Sequence, residues 1–238
     1  MADCILSVVI PTYNEAENVP VLVGRILSCL SGIPHEIIVA DDDSPDGTWR
    51  VAEELSRKHP EVRCLRRTRD RGLYPAVAEA FSMAKGRYMA VLDADLQHDE
   101  SKLPVMLECA RAQGLQLVVG SRHAQGGGIE GWNRARRLIS RMANGSCGAL
   151  LRRGCSDLMS GFFLVERQAY ERAVGRLRPK GFKILMDLLQ NLPADARVGE
   201  VGYVFRPREQ GHSKLNMRVA VDFAAGLGAL LSDRIRGR

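Results

Sequence analysis

The sequence predicts an α/β fold with a mostly parallel central sheet flanked by helices, and three observations predict it. Short runs rich in Val and Ile alternate with longer helix-like runs from Cys4 to Cys147, the rhythm of βα units. The runs Ile5–Ile10, Ile37–Ala40 and Tyr88–Leu92 carry apolar residues on both faces, as strands buried between two helix layers must. Polar residues gather directly after these runs, and an open parallel sheet collects its ligands beyond the carboxyl ends of its strands.

Taken in order, "CILSVVI" is followed by a helical pattern over 15–30, "EIIVA" by one over 48–59, and "VRCLR" by one over 75–85. Pro75 suits the first turn of that third helix. "RYMAVLD" then leads to a helix over 101–112, and "LQLVVGS" to one over 132–147. The last stretch, 215–238, carries Leu215, Val219, Phe223, Leu227 and Leu231 at four-residue steps and ends in Arg234, Arg236 and Arg238. Such a stripe fits a helix packed on the core, and equally an amphipathic helix lying on an anionic membrane.

A chain of 238 residues with 45% apolar and 26% charged residues can bury one substantial core, which excludes disorder, collagen and coiled coil. Its net charge of +6 and pI of about 9.2 call for an anionic partner: a nucleotide, a phospholipid or a nucleic acid. Nucleic-acid binding is the weakest of these, because aromatics are only 5% of the chain and no basic stripe interleaves with them. The six cysteines are scattered without zinc-ligand spacing and read as reduced thiols of a cytosol-facing protein. Cys4–Ile10 is too short for a secretory signal, and no uninterrupted apolar run is long enough to span a bilayer.

The run "RYMAVLDADLQHDE" ends an apolar strand in crowded negative charge. In an extended segment residues i and i+2 point the same way, so Asp93 and Asp95 project together, Ala94 turns inward, and Gln97 falls one period further on. Carboxylate and amide oxygens are hard ligands suited to Mg²⁺ or Mn²⁺ and poorly suited to zinc. The plain alternative is a solvated acidic loop. After the second strand, Asp42 offers an acceptor to a nucleobase N–H, and Pro11, Tyr13 and Glu15 add a ring and a carboxylate beside it. Helix N-capping by Asn14, Asp43 or Ser44, Asp46 and Ser101 is an alternative use of these loops. Capping leaves unexplained why Asp41, Asp42, Asp93 and Asp95 all arrive at one sheet edge.

With these residues in view, the ordered set "SVVIPTYNEAENVP", "EIIVADDDSPDGT", "DADLQHD", "GSR", "SDLMSGF" and "RPREQGHSKL" resembles the family 2 inverting glycosyltransferases, and within them the dolichol- or polyprenol-phosphate mannosyltransferases. The resemblance covers residues 5 to about 216. It implies a GT-A catalytic domain over 1–214, followed by the 215–238 membrane-interface helix. It further implies that Pro11, Tyr13, Glu15, Ala40, Asp42 and Ala94 contact a sugar nucleotide, and that Asp93, Asp95 and Gln97 organise Mg²⁺ or Mn²⁺ on its diphosphate. Arg122, Arg208 and Lys214 would engage the diphosphate and the acceptor phosphate, the guanidinium fork meeting phosphate oxygens in pairs. Asp95, Arg122 and Asp157 are the implied catalytic groups. Asp157 either orients the acceptor arginines or the metal, or is a structural cap.

The implied reaction moves mannose from GDP-mannose to a dolichyl or polyprenyl phosphate at the cytoplasmic face of a membrane. A membrane-anchoring subunit is a further candidate partner. The same fold using UDP-glucose or another nucleotide sugar on a polyprenyl phosphate is the rival. Two positions depart from the family pattern: Asp43 stands where glycine is usual, and Tyr74-Pro75 where small residues follow Gly-Leu. Arg134, Arg136, Arg137, Arg152 and Arg153 read as surface charge or lipid contacts. "GGGIEG" at 126–131 reads as a mobile loop over the site, not a dinucleotide fingerprint, because it opens no βαβ unit. His98, His123 and His212 lack metal-ligand spacing and read as surface groups or supports behind the site.

Overall fold

The computed structural model describes residues 4–130, 154–177 and 184–207. The helix expected over 132–147, Cys147, the five arginines between 134 and 153, Arg208, His212, Lys214 and the 215–238 helix lie outside the described residues.

The chain runs through β1 (Leu6–Thr12), α1 (Asn18–Cys29), β2 (His35–Asp41), α2 (Thr48–Lys58), β3 (Val62–Arg66), α3 (Leu73–Met83) and β4 (Tyr88–Val91). A 3-10 turn at Glu100–Lys102 then opens α4 (Leu103–Gln113), followed by β5 (Leu117–Ser121) and a short β6 (Gly128–Ile129). The rest comprises β7 (Phe163–Glu166), α5 (Arg167–Val174), α6 (Ile184–Asn191), β8 (Val198–Gly202) and β9 (Val204–Phe205).

Seven strands form one sheet in the order β3-β2-β1-β4-β7-β5-β8. Every residue of β1 is buried, and its alternation separates two cores. Leu6, Val8 and Ile10 pack with Leu22, Val23 and Ile26 of α1 and with Met106 and Leu107 of α4. Val9 joins Ile38, Met89 and Val91 beneath Val77 and Phe81 of α3 and Leu188 of α6. Each such side chain contributes roughly 1.5–3 kcal/mol on burial; the polar residues of β1, Ser7 and Thr12, are tolerated because they bond to Glu36 and Asp41. Tyr74 donates to Asp187 at 2.7 Å and fastens α6 to α3.

The pairs β1·β2, β1·β4, β2·β3 and β5·β8 are parallel, whereas β7 runs antiparallel to both β4 and β5. Alternation of βα units did not reveal that strand. It leaves the 154–162 loop, which already lies at the carboxyl edge, and can therefore enter the sheet directly without a crossover. One edge thus holds the ends of β1, β2, β4 and β5 together with the start of β7.

Several local expectations change. α1 starts at Asn18 behind Glu17, so Asn14 is not its cap. Asn14 instead sits at φ 57° and donates its N–H to Ser44 Oγ at 3.0 Å. Neither Asp43 nor Ser44 caps α2, whose preceding residue is Gly47; Asp46 accepts from Thr48 N at 3.0 Å. Asp99, not Ser101, caps the 3-10 turn by accepting the Ser101 N–H. Within the glycine stretch, Gly128–Ile129 pairs in parallel with Val204–Phe205. Pro75 stands in the first turn of α3, as the sequence predicts. Among the described residues no helix is long and apolar enough to cross a membrane.

Candidate active site

The acidic loop leaves β4 one residue before Asp93. The Asp93 side chain is 41% exposed, and its Oδ2 lies 3.3 Å from His98 Nε2. The same oxygen rests against Gly161, where an added Cβ would stand 2.8 Å away. Asp95 is buried and accepts the Gln97 N–H at 3.3 Å on Oδ1, with Ala94 buried between the two acids. The expected extended period does not continue to Gln97, because Leu96 adopts φ 60°. That left-handed turn re-aims Gln97, whose side-chain amide donates to the Arg206 carbonyl at 2.9 Å while Arg206 N donates back to the Gln97 carbonyl at 3.0 Å.

Opposite this loop stands an ion pair. Arg122, one residue past β5, grips Asp157 through Nε and Nη2, each 2.7 Å from a carboxylate oxygen, and its backbone N–H adds a third bond at 3.0 Å. Asp157 is fully buried. Burial by itself would raise its carboxyl, but the hydrogen bonds and charge of Arg122 outweigh that and hold it below the ordinary value. Burial likewise works against the Arg122 cation, and Asp157 more than compensates. The guanidinium also lies 5.5 Å from the Phe205 ring centroid, so its orientation is fixed from two sides.

At the ends of β1 and β2 the acids divide their work. Asp41 is fully buried and knits the loop, accepting from Thr12 Oγ1 at 3.0 Å, Ser44 N at 2.9 Å and Ser44 Oγ at 2.5 Å. Asp42 receives the Gly72 N–H at 2.6 Å on Oδ2 and pairs through Oδ1 with Arg67. The Arg67 side chain is only 1% exposed and is further held by Glu79 at 2.7 Å and the Asp70 carbonyl at 2.7 Å. Asp43, at φ 56°, occupies the left-handed geometry that explains a usual glycine. Its carboxylate bridges Arg66 and Arg71, and Arg66 stacks 3.7 Å over Trp49. Pro11 is buried in β1, Ala40 is buried in β2, Tyr13 is 44% exposed, and Glu15 accepts from Asn18 Nδ2 at 2.7 Å.

Two residues here are missed by the sequence reading: Arg67, which follows β3 and which the rule that ligands gather after every strand points to, and Tyr203, which links β8 to β9 and carries no local signal. His98, expected as a surface group or a support behind the site, lies behind Asp93.

Among the described residues no three histidine, cysteine or acidic side chains converge into a metal cage. The donor set still fits Mg²⁺ or Mn²⁺, which are held by one or two carboxylates with phosphate oxygens completing the shell: Asp93 and Asp95 are oxygen donors, and Asp93 is open to solvent.

The mostly parallel seven-stranded sheet with helices on both faces is a GT-A fold. Mannosyl-3-phosphoglycerate synthase from Rubrobacter xylanophilus superposes with TM-score 0.70 at 19% identity over 98% of this chain and 76% of that one. A mannosyltransferase from Pyrobaculum calidifontis, in complex with GDP-Man and Mn²⁺, gives 0.63 at 17% identity over 97% and 64%. The chain belongs to glycosyl transferase family 2, whose profile matches residues 7–173. Dolichol-phosphate mannosyltransferase of Pyrococcus furiosus is 41% identical over 92% of this chain, which spans 61% of that protein's length. The Saccharomyces cerevisiae protein of the same name is 36% identical over 94% of this chain and 86% of its own length.

Proposed function

We propose that this chain transfers mannose from GDP-mannose to dolichyl or another polyprenyl monophosphate, with inversion at the anomeric carbon. One observation carries the reading: the Asp93–Asp95 loop, the fixed Arg122 cation and the buried Asp42 share one sheet edge. That arrangement offers a base, a diphosphate and an anionic acceptor neighbouring sites in one crevice. The names of the relatives select mannose and a lipid phosphate.

Asp42 holds the nucleoside together with Pro11, Tyr13, Glu15 and Ala40. Asp93 and Asp95 would hold the divalent ion, with Ala94 lining the same turn; Gln97 could offer the ion only its amide oxygen, since its nitrogen serves Arg206. When bound, the ion supplies positive charge to the departing diphosphate. Arg122 presents its guanidinium to phosphate, and Arg208 and Lys214 are assigned phosphate contacts on resemblance. Asp157 is a positioning group: a carboxylate held below its ordinary pKa by two guanidinium bonds is a poor proton acceptor. No strong base is required, because a phosphate monoester with a second pKa of about 6 is already anionic at neutral pH. A lipid acceptor is met at a membrane surface; in this reading the face is the cytoplasmic one, and the apolar stripe of 215–238 with its basic end docks there, with or without an anchoring subunit.

The test is transfer from radiolabelled GDP-mannose to a short polyprenyl phosphate in Mn²⁺ or Mg²⁺, with UDP-glucose in parallel. Label should enter the lipid from GDP-mannose, and Asp95→Ala should abolish it with the melting temperature retained. Transfer from UDP-glucose alone, or full activity in Asp95→Ala, would sink the reading.

A further inference from the structure

Behind the half-exposed Asp93 lies a buried polar chain that the reaction does not use directly. His98 is 3% exposed and enclosed by aromatic rings, with Phe162, Tyr203 and Phe205 centroids 5.5, 5.5 and 5.6 Å away. Within that apolar shell it makes two polar contacts, Nδ1 to the Tyr203 hydroxyl at 2.8 Å and Nε2 to Asp93 Oδ2 at 3.3 Å. Tyr203 is 1% exposed, and burial pushes its phenol up, so the hydroxyl keeps its proton. Its backbone is pinned as well, donating to the Ser121 carbonyl and accepting from Gly128 N, both at 3.1 Å.

The Tyr203 hydroxyl also has Ser160 as a hydrogen-bond partner, and for a neutral His98 ring the demand of Asp93 decides the proton arrangement. An ionised Asp93 can only accept, so Nε2 must carry the imidazole proton; Nδ1 is then an acceptor, and the Tyr203 O–H fills it. Exchanging the tautomer would face an unprotonated nitrogen toward a carboxylate. We propose that Tyr203 and His98 form a positioning relay for Asp93: the Tyr203 O–H, by filling Nδ1, reinforces the Nε2–H tautomer that Asp93 demands, and His98 N–H together with the Gly161 backbone aims the carboxylate. This rests on the reading of Asp93 as a contact of the nucleotide-bound ion. Outer partners of this kind are worth about 10- to 100-fold in metal affinity.

Two measurements test it. Long-range ¹⁵N–¹H NMR of the unliganded protein reads the tautomer without any metal: the Nε2–H form is expected in the wild type and a mixture in Tyr203→Phe, which keeps the ring in its aromatic shell. An Nδ1–H form in the wild type, or an unchanged tautomer in Tyr203→Phe, overturns the relay whatever the function. Mn²⁺ binding in the presence of GDP, followed by electron paramagnetic resonance, should weaken roughly tenfold in His98→Phe and less in Tyr203→Phe, with partial rescue in His98→Gln, whose amide can still donate. Wild-type Mn²⁺ affinity in both Phe variants overturns the relay if Asp93→Asn does weaken binding. Unchanged affinity in Asp93→Asn overturns it by removing Asp93 from the ion, which leaves mannose transfer to be judged by the Asp95→Ala test.

Discussion

Two buried ion pairs set the behaviour of the site at the level of single residues. Arg67 and Asp42 are almost without solvent contact, so removing the cation leaves an uncompensated charge in the interior. Arg67→Met should lose about 3–5 kcal/mol in urea unfolding, and adding Asp42→Asn should restore part of it, since a neutral pair avoids the stranded carboxylate. Asp157 carries a distinct pH signature. Its folded-state pKa is depressed, so its contribution is present above the unfolded value of about 3.9 and is lost as pH falls through the folded value. Asp157→Asn should therefore be less stable at neutral pH, and should lose less of its remaining stability on acidification. Thermal melts from pH 7 to pH 3 measure both. An acid limb as steep as that of the wild type would contradict the assignment.

Elements decide how closely these residues approach one another. The β7 strand turns the 154–162 loop back across the carboxyl edge, and Gly161 is where that loop touches the acidic loop. Gly161 is not in the left-handed region, and its added Cβ would meet the far end of the Asp93 side chain at 2.8 Å. Gly161→Ala can therefore be relieved by moving the carboxylate instead of the backbone. The expected outcome is a melting temperature within a few degrees of wild type with activity down roughly tenfold, the lower end of what a disturbed partner of a metal-binding carboxylate costs. A large fall in stability with normal activity in the remaining folded protein would place the cost in the loop itself. Much at this scale was legible in sequence: helices α1–α4 fall on the expected runs because their apolar faces repeat with the sheet they cover. The caps were less legible. Asn14 and Ser101 have capping side chains, but the backbone at Asn14 is left-handed and Ser101 yields to Asp99. Residue type states what a side chain can accept and leaves open where its backbone will be.

At the scale of the whole molecule the crevice should behave as one binding unit for a nucleotide and an ion. GDP with Mn²⁺ at about 100 times the dissociation constant should stabilise the fold by about 2.7 kcal/mol, or roughly 5–10 °C in a chain of this size. Chelation should remove the metal-dependent part of that shift, and UDP should give a smaller one. Equal shifts from GDP and UDP would argue against a guanine-selective site. What the sequence determined by itself was the period of the sheet, the acidic edge and the presence of Asp93, Asp95, Arg122 and Asp157, because local hydrophobic alternation and strand-end polarity are carried by neighbours along the chain. What only the tertiary structure decided was which distant groups meet: Arg67 on Asp42, Asp157 on Arg122, and Tyr203 through His98 on Asp93. The bonded pairs Arg67–Asp42, Asp157–Arg122 and Tyr203–His98 lie 25, 35 and 105 positions apart. A buried polar group must find its partner wherever packing brings one within hydrogen-bond reach, and no local pattern encodes that distance.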